Sequence, residues 1–125
     1  MNACSTPDGI LIVDDMAACS FIIECLLEQA GISNHITFNG AREALAYLRT
    51  NGAIGLVITD YLMPEINGVE LLNKCREFNE RLKGIIVSCD PGLIPAAEHE
   101  YVVIEKGERL HQDLIGHVKK MIHPS

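Results

Sequence analysis

The sequence contains no apolar run approaching the roughly 20 residues that a membrane-spanning helix needs. Met1 to Asp8 has neither the cationic nor the apolar region of a secretion signal, so a cytoplasmic location and no membrane partner are expected. Basic residues are scarce too: 10 against 17 acidic side chains give a formal net charge of −7, and no basic stripe interleaves with aromatics. That balance argues against direct nucleic-acid binding and for protein partners and cations. Cys-x-x-Cys is missing, and Cys4, Cys19, Cys25, Cys75 and Cys89 are odd in number, so reduced thiols are expected rather than a disulfide framework or a zinc clamp. Cys89 reads as a small apolar filler. The histidines lack metal spacing, because the steps from His111 to His117 to His123 turn successive rings to different helix faces. No P-loop, internal repeat or low-complexity segment occurs.

What is present is an alternation of two apolar periodicities. Hydrophobic residues make up 48% of the 125, with a mean hydropathy of +0.17, enough for a single domain over residues 1–125 with 1–8 as a frayed lead-in. Ile10 to Val13 and Leu56 to Thr59 are continuous apolar runs, the mark of strands buried on both faces. Ser33 to Phe38, Ile85 to Val87 and Tyr101 to Ile104 supply three more strands. Helical spacing links Ile23, Leu26, Leu27 and Ala30, predicting a helix from Met16 to Ala30 that stops at Gly31. Ala41, Ala44, Leu45 and Leu48 mark a second helix, capped by Asn39 and closed by Asn51-Gly52. Leu71, Leu72, Cys75 and Phe78 mark a third, and Leu110, Leu114, Ile115, Val118, Met121 and Ile122 the last. Asp90-Pro91-Gly92 predicts a turn, and Leu93 to Glu100 at best a short helix. Five such alternations predict an α/β fold, a doubly wound parallel sheet with helices on both faces.

In such a sheet the strand ends meet at one edge, where ligands bind. Asp14 and Asp15 follow the first strand, Asp60 the third, Ser88 the fourth and Lys106 the fifth. Taken singly each has an ordinary use: aspartate forms turns, serine bonds backbone and lysine faces water. Together they are a constellation. Two carboxylates about 4 Å apart repel by roughly 4 kcal/mol at an effective dielectric near 20, so three need a counterion or must take up protons, and magnesium is the simple answer, suiting oxygen ligands beside a phosphoryl group. Lys106 and Ser88 offer an ammonium and a hydroxyl to phosphoryl oxygens. Pro64 and Gly68 end the strand near Asp60, Gly68 by tolerating strained backbone.

Ile10 to Asp15, Asp60-x-x-Met63-Pro64-x-x-x-Gly68, Ser88 after three apolar residues and the late Lys106 resemble the receiver domain of two-component response regulators. The resemblance implies a five-stranded sheet in the flavodoxin-like order 2-1-3-4-5, with a fourth helix that is short or irregular here. It implies a magnesium-dependent phosphoacceptor, Asp60, served by a sensor histidine kinase or histidine phosphotransfer protein and controlling an unknown output partner or domain. Asp15, Asp60 and the Leu62 carbonyl would hold the metal directly and Asp14 largely through water, and Ser88 and Lys106 would read the phosphoryl oxygens. Such a module is not an enzyme beyond its own phosphorylation and dephosphorylation. Four features depart from the family pattern: Gly107 replaces a proline, Val103 an aromatic and Cys89 an alanine, and the 18 positions from Ser88 to Lys106 are fewer than usual. An alternative is a pseudo-receiver that binds partners without phosphorylation. A magnesium phosphohydrolase is disfavoured because Leu62 stands where Asp-x-Asp would place a second acid.

Overall fold

The structure, a computed structural model, describes residues 9–50, 53–95 and 100–122. Its elements are β1 (Gly9–Val13), α1 (Ala17–Gln29), β2 (His35–Phe38), α2 (Ala41–Thr50), β3 (Ile54–Asp60), α3 (Gly68–Phe78), β4 (Lys83–Ser88), β5 (Val102–Glu105) and α4 (Leu110–Ile122). All neighbouring strands pair in parallel, in the order β2-β1-β3-β4-β5. The expected strand order and alternation are therefore present. Residues 1–8, Asn51-Gly52, 96–99 and 123–125, on which the frayed lead-in, the close of the second helix and half of the short helix fall, lie outside the described residues.

Strand periodicity divides the core in two. Leu11, Val13, Val57 and Ile86 pack with Ala44, Leu48, Leu71, Leu72 and Cys75 under α2 and α3. Ile10, Ile12, Leu56, Ile58, Ile85 and Val87 pack with Ile23, Leu27, Leu114 and Val118 under α1 and α4. Alternate side chains of one strand serve opposite cores, which is why the strand runs carry no polar interruptions. Complete burial raises the Cys75 thiol to about 12, so it is an inert apolar filler.

α1 ends as its sequence predicts. Gly31 takes φ +81°, its N–H donates to Glu28 O, and the Ile32 N–H donates to Leu27 O, a Schellman closure that glycine makes without strain. One expectation is corrected. Phe78, placed on the core face of α3, is 47% exposed, the last residue of the helix. Between Ser88 and Val102 the described residues form one 3₁₀ turn, Pro91–Leu93, which starts where Pro91 pre-sets φ.

Candidate functional site

β1 brings Asp14 to the carboxyl edge already fixed: its N–H donates to Phe38 O at 3.2 Å, prolonging the β1–β2 ladder by one bond. Its Oδ1 accepts the Met16 N–H at 2.9 Å, and the residue is only 1% exposed. Asp15, next in the chain, faces solvent, and Asp60 ends β3 half-buried. Carboxylate oxygens of Asp14, Asp15 and Asp60 lie within 4.8 Å of one another.

The counter-charge comes from the far end of the chain. The Lys106 N–H donates to Ser88 O at 2.8 Å, seating the residue beside the end of β4. Its Nζ then stands 3.2 Å from Asp60 Oδ1 and 3.4 Å from Asp14 Oδ2. Burial raises the Asp14 carboxyl above its ordinary value, and the Met16 N–H and Lys106 offset this only in part. Burial also works to lower Lys106, but Asp14 and Asp60 outweigh it and hold the ammonium above its ordinary range.

Ser88 is buried at the end of β4, and its Oγ accepts the Asp90 N–H at 3.1 Å, which leaves its O–H available to donate. It shares the edge with Lys106 and Asp60, but its side chain is hydrogen-bonded to neither among the described residues. Leu62, two residues beyond Asp60, is 62% exposed. Cys89 is also exposed, contrary to the expected filler role: β4 has ended, and the thiol lines an apolar hollow of about 410 Å³ with Cys19, Ile23, Leu110 and Lys106.

The loop after Asp60 is tightly determined. The Gly68 N–H donates to Tyr61 O at 2.8 Å, and a Cβ at position 68 would lie 2.5 Å from Asp60 O. Gly68 is thus required by close approach, not by the strained backbone expected of it. Strain sits instead at Glu65, with φ 78° in a turn closed by Ile66 N–H to Pro64 O. Arg42 of α2 pairs with Glu65 at 3.2 Å. The Asn67 side chain accepts the Glu70 N–H while Glu70 Oε1 accepts the Asn67 N–H, both at 2.9 Å, forming a capping box. Sequence reasoning missed this cap although Asn67-x-x-Glu70 before Leu71-Leu72 carries its signature. Nothing in the sequence marked Arg42 as a partner of the loop.

The model of the response regulator receiver domain matches residues 10–99. The chain is similar to the two-component response regulator ORR11 of Oryza sativa subsp. japonica, 36% identical over 81 residues, covering 65% of this chain and 54% of the relative. It is 37% identical over 78 residues to the chemotaxis protein CheY of Pseudomonas aeruginosa, covering 62% and 61%. The chain thus spans little more than half the length of the curated relatives it matches. A response regulator receiver protein from Pseudomonas putida superposes with a TM-score of 0.77 at 30% identity, over 94% of this chain and 99% of the other. One from Sinorhizobium medicae gives 0.81 at 21% identity, over 94% and 96%, a likeness of fold. With most of its length matched and strand ends that gather acids around one lysine, the chain belongs to the response regulator receiver domain family.

Proposed function

We propose that Asp60 accepts a phosphoryl group from a phosphohistidine on a sensor histidine kinase or phosphotransfer protein, and that the modified domain controls an output partner or domain. The observation that carries this reading is Lys106 Nζ lying between Asp60 Oδ1 and Asp14 Oδ2, within an acidic cluster at the sheet's carboxyl edge. In the transfer, the donor's P–N bond breaks and the imidazole keeps the electron pair, while an Asp60 oxygen forms the new O–P bond. Lys106 then turns from carboxylate to phosphoryl oxygen, and the Ser88 O–H donates to another.

Three hard oxygen donors within 4.8 Å suit magnesium, to be held by Asp14, Asp15, Asp60 and the Leu62 carbonyl. When bound, such an ion supplies charge neutralisation for the transferring group. Release of phosphate by water is slow in this reading, because the Leu62 side chain offers no hydrogen bond to orient an attacking molecule. Exposed Met16, Phe21 and Ile22 on and beside α1 give a protein donor apolar surface close to the acids. Among the described residues no helix is long and apolar enough to cross a membrane.

Incubation with a small acyl phosphate and magnesium, read by intact mass, tests the reading. One added phosphoryl group is expected in wild type and none in Asp60→Asn. Full modification of the variant at the wild-type rate discards Asp60 as acceptor, and an unmodified wild type leaves the pseudo-receiver.

A further inference from the structure

On the face of the sheet opposite α1 and α4, the surface between α2 and α3 opens into a groove of about 310 Å³. Its floor is apolar: Leu45 and Ile66 are partly buried, and Phe78 is half exposed at the end of α3. Its rim carries Arg42 and Arg49 from α2 and Lys74 from α3, against Glu65 and Glu77. Arg42 and Glu65 neutralise each other at 3.2 Å, whereas Arg49 and Lys74 form no ion pair among the described residues. On a chain of net charge −7 this is a locally cationic rim over an apolar floor. A rim and floor of those kinds recognise carboxylates and a large apolar side chain together. The volume suits side chains of a peptide rather than a large cofactor.

The groove also borders the loop that follows Asp60. Glu65 holds its left-handed φ of 78° while its carboxylate is paired with Arg42. A ligand carboxylate that captures Arg42 removes that restraint from a strained turn.

We propose that the α2–α3 groove docks an acidic, amphipathic segment of a partner protein. An apolar side chain of the segment lodges against Leu45, Ile66 and Phe78, and its carboxylates engage Arg42, Arg49 and Lys74. Because Arg42 is shared with Glu65, docking and the state of the loop beside Asp60 influence each other reciprocally. That coupling rests on the phosphoacceptor reading; the docking itself does not.

The test is a fluorescence-anisotropy titration of the unphosphorylated full chain. The probe is a short labelled peptide carrying leucine and phenylalanine at i, i+4 among glutamates. Saturable binding is expected, weakened about tenfold or more by Arg49→Glu combined with Lys74→Glu, tightened by Glu77→Gln, and lost when the probe's glutamates become glutamines. Opposite responses to the two kinds of variant exclude misfolding as their cause. Absence of saturable binding, unchanged affinity in the charge-reversed protein or equal binding of the glutamine probe overturns the docking proposal. Asp60→Asn should bind the probe as wild type does, so failure of docking and failure of the acceptor assignment are read separately. An unchanged rate of phosphoryl uptake at saturating probe overturns the coupling.

Discussion

Two connections leave the same edge of the sheet and are built in opposite ways. The β3–α3 loop is held by the Gly68–Tyr61 bond, the Asn67–Glu70 capping box, the Arg42–Glu65 pair and contact too close for a Cβ at Gly68. Across the edge, the described part of the β4–β5 connection has one 3₁₀ turn, closed by the Leu93 N–H to Asp90 O and Ile94 N–H to Pro91 O bonds, with Asp90 donating its N–H to Ser88 Oγ, Ile94 buried, and the Tyr101 O–H donating to Asn73 Oδ1 at 2.6 Å. The Asp60 side is the more heavily tied, and among the described residues the other side is held least over residues 89–95. In the proposed function a phosphoryl-dependent change costs least where few contacts must be exchanged, so the response is expected in that stretch.

Glycine substitutions break the comparison most directly. Gly68→Ala should destabilise the fold by about 2–3 kcal/mol in denaturant melts, because the Asp60 carbonyl cannot retreat without leaving the ladder. Gly107→Ala, with no atom within 4 Å of its Cβ, should be neutral or stabilising by about 0.5 kcal/mol. Similar losses at both positions would remove the distinction between tight and open surroundings.

Charge at the edge gives the next effect. Burial raises the Asp14 carboxyl, so in metal-free protein the folded state holds this proton more tightly than the unfolded state. Stability from this group therefore falls as pH climbs from the ordinary carboxylate value through the raised one. The contribution of Lys106, raised in its turn, stays constant there and is lost only as pH rises through its elevated value. Asp14→Asn should flatten the acid-side fall and stabilise the metal-free protein at neutral pH by about 1 kcal/mol. It should also reduce the rise in melting temperature expected of wild type in millimolar magnesium. A variant less stable than wild type, with an unchanged magnesium response, would contradict both the buried-charge account and the metal assignment.

Smaller effects sharpen the contrast. Leu62→Asn should shorten the phosphoryl lifetime by about severalfold, since an amide can orient water; a lifetime equal to wild type removes that role. Val103 is stiff at χ1 and has no ring to swing, so switching by an aromatic rotation is not expected. Hydrogen exchange with a phosphoryl mimic should instead show protection changing mainly between residues 89 and 95. No difference there, with changes confined to β5, would place the response elsewhere.

The acid edge was legible because parallel strands bury both faces and end abruptly at Asp14, Asp60, Ser88 and Lys106. Polarity alone gives those positions. Cys89 misled because a small residue just after a buried strand reads as core, whereas the chain has already turned outward there. Phe78 misled for a similar reason: periodicity assigns it a face of α3 but cannot tell that the helix ends there. The Arg42–Glu65 pair was illegible, because it joins residues 23 apart through two exposed side chains that no local pattern relates.

The ion pair between Asp14 and Lys106 joins groups 92 residues apart, with Lys106 placed just beyond β5, an outer strand of the sheet. Its ammonium stands between the acids of the first and third strands while β5 is paired with β4. Detachment of that one outer strand would withdraw Lys106 and leave the carboxylates to repel one another, so electrostatic relief at the edge depends on the pairing of β5.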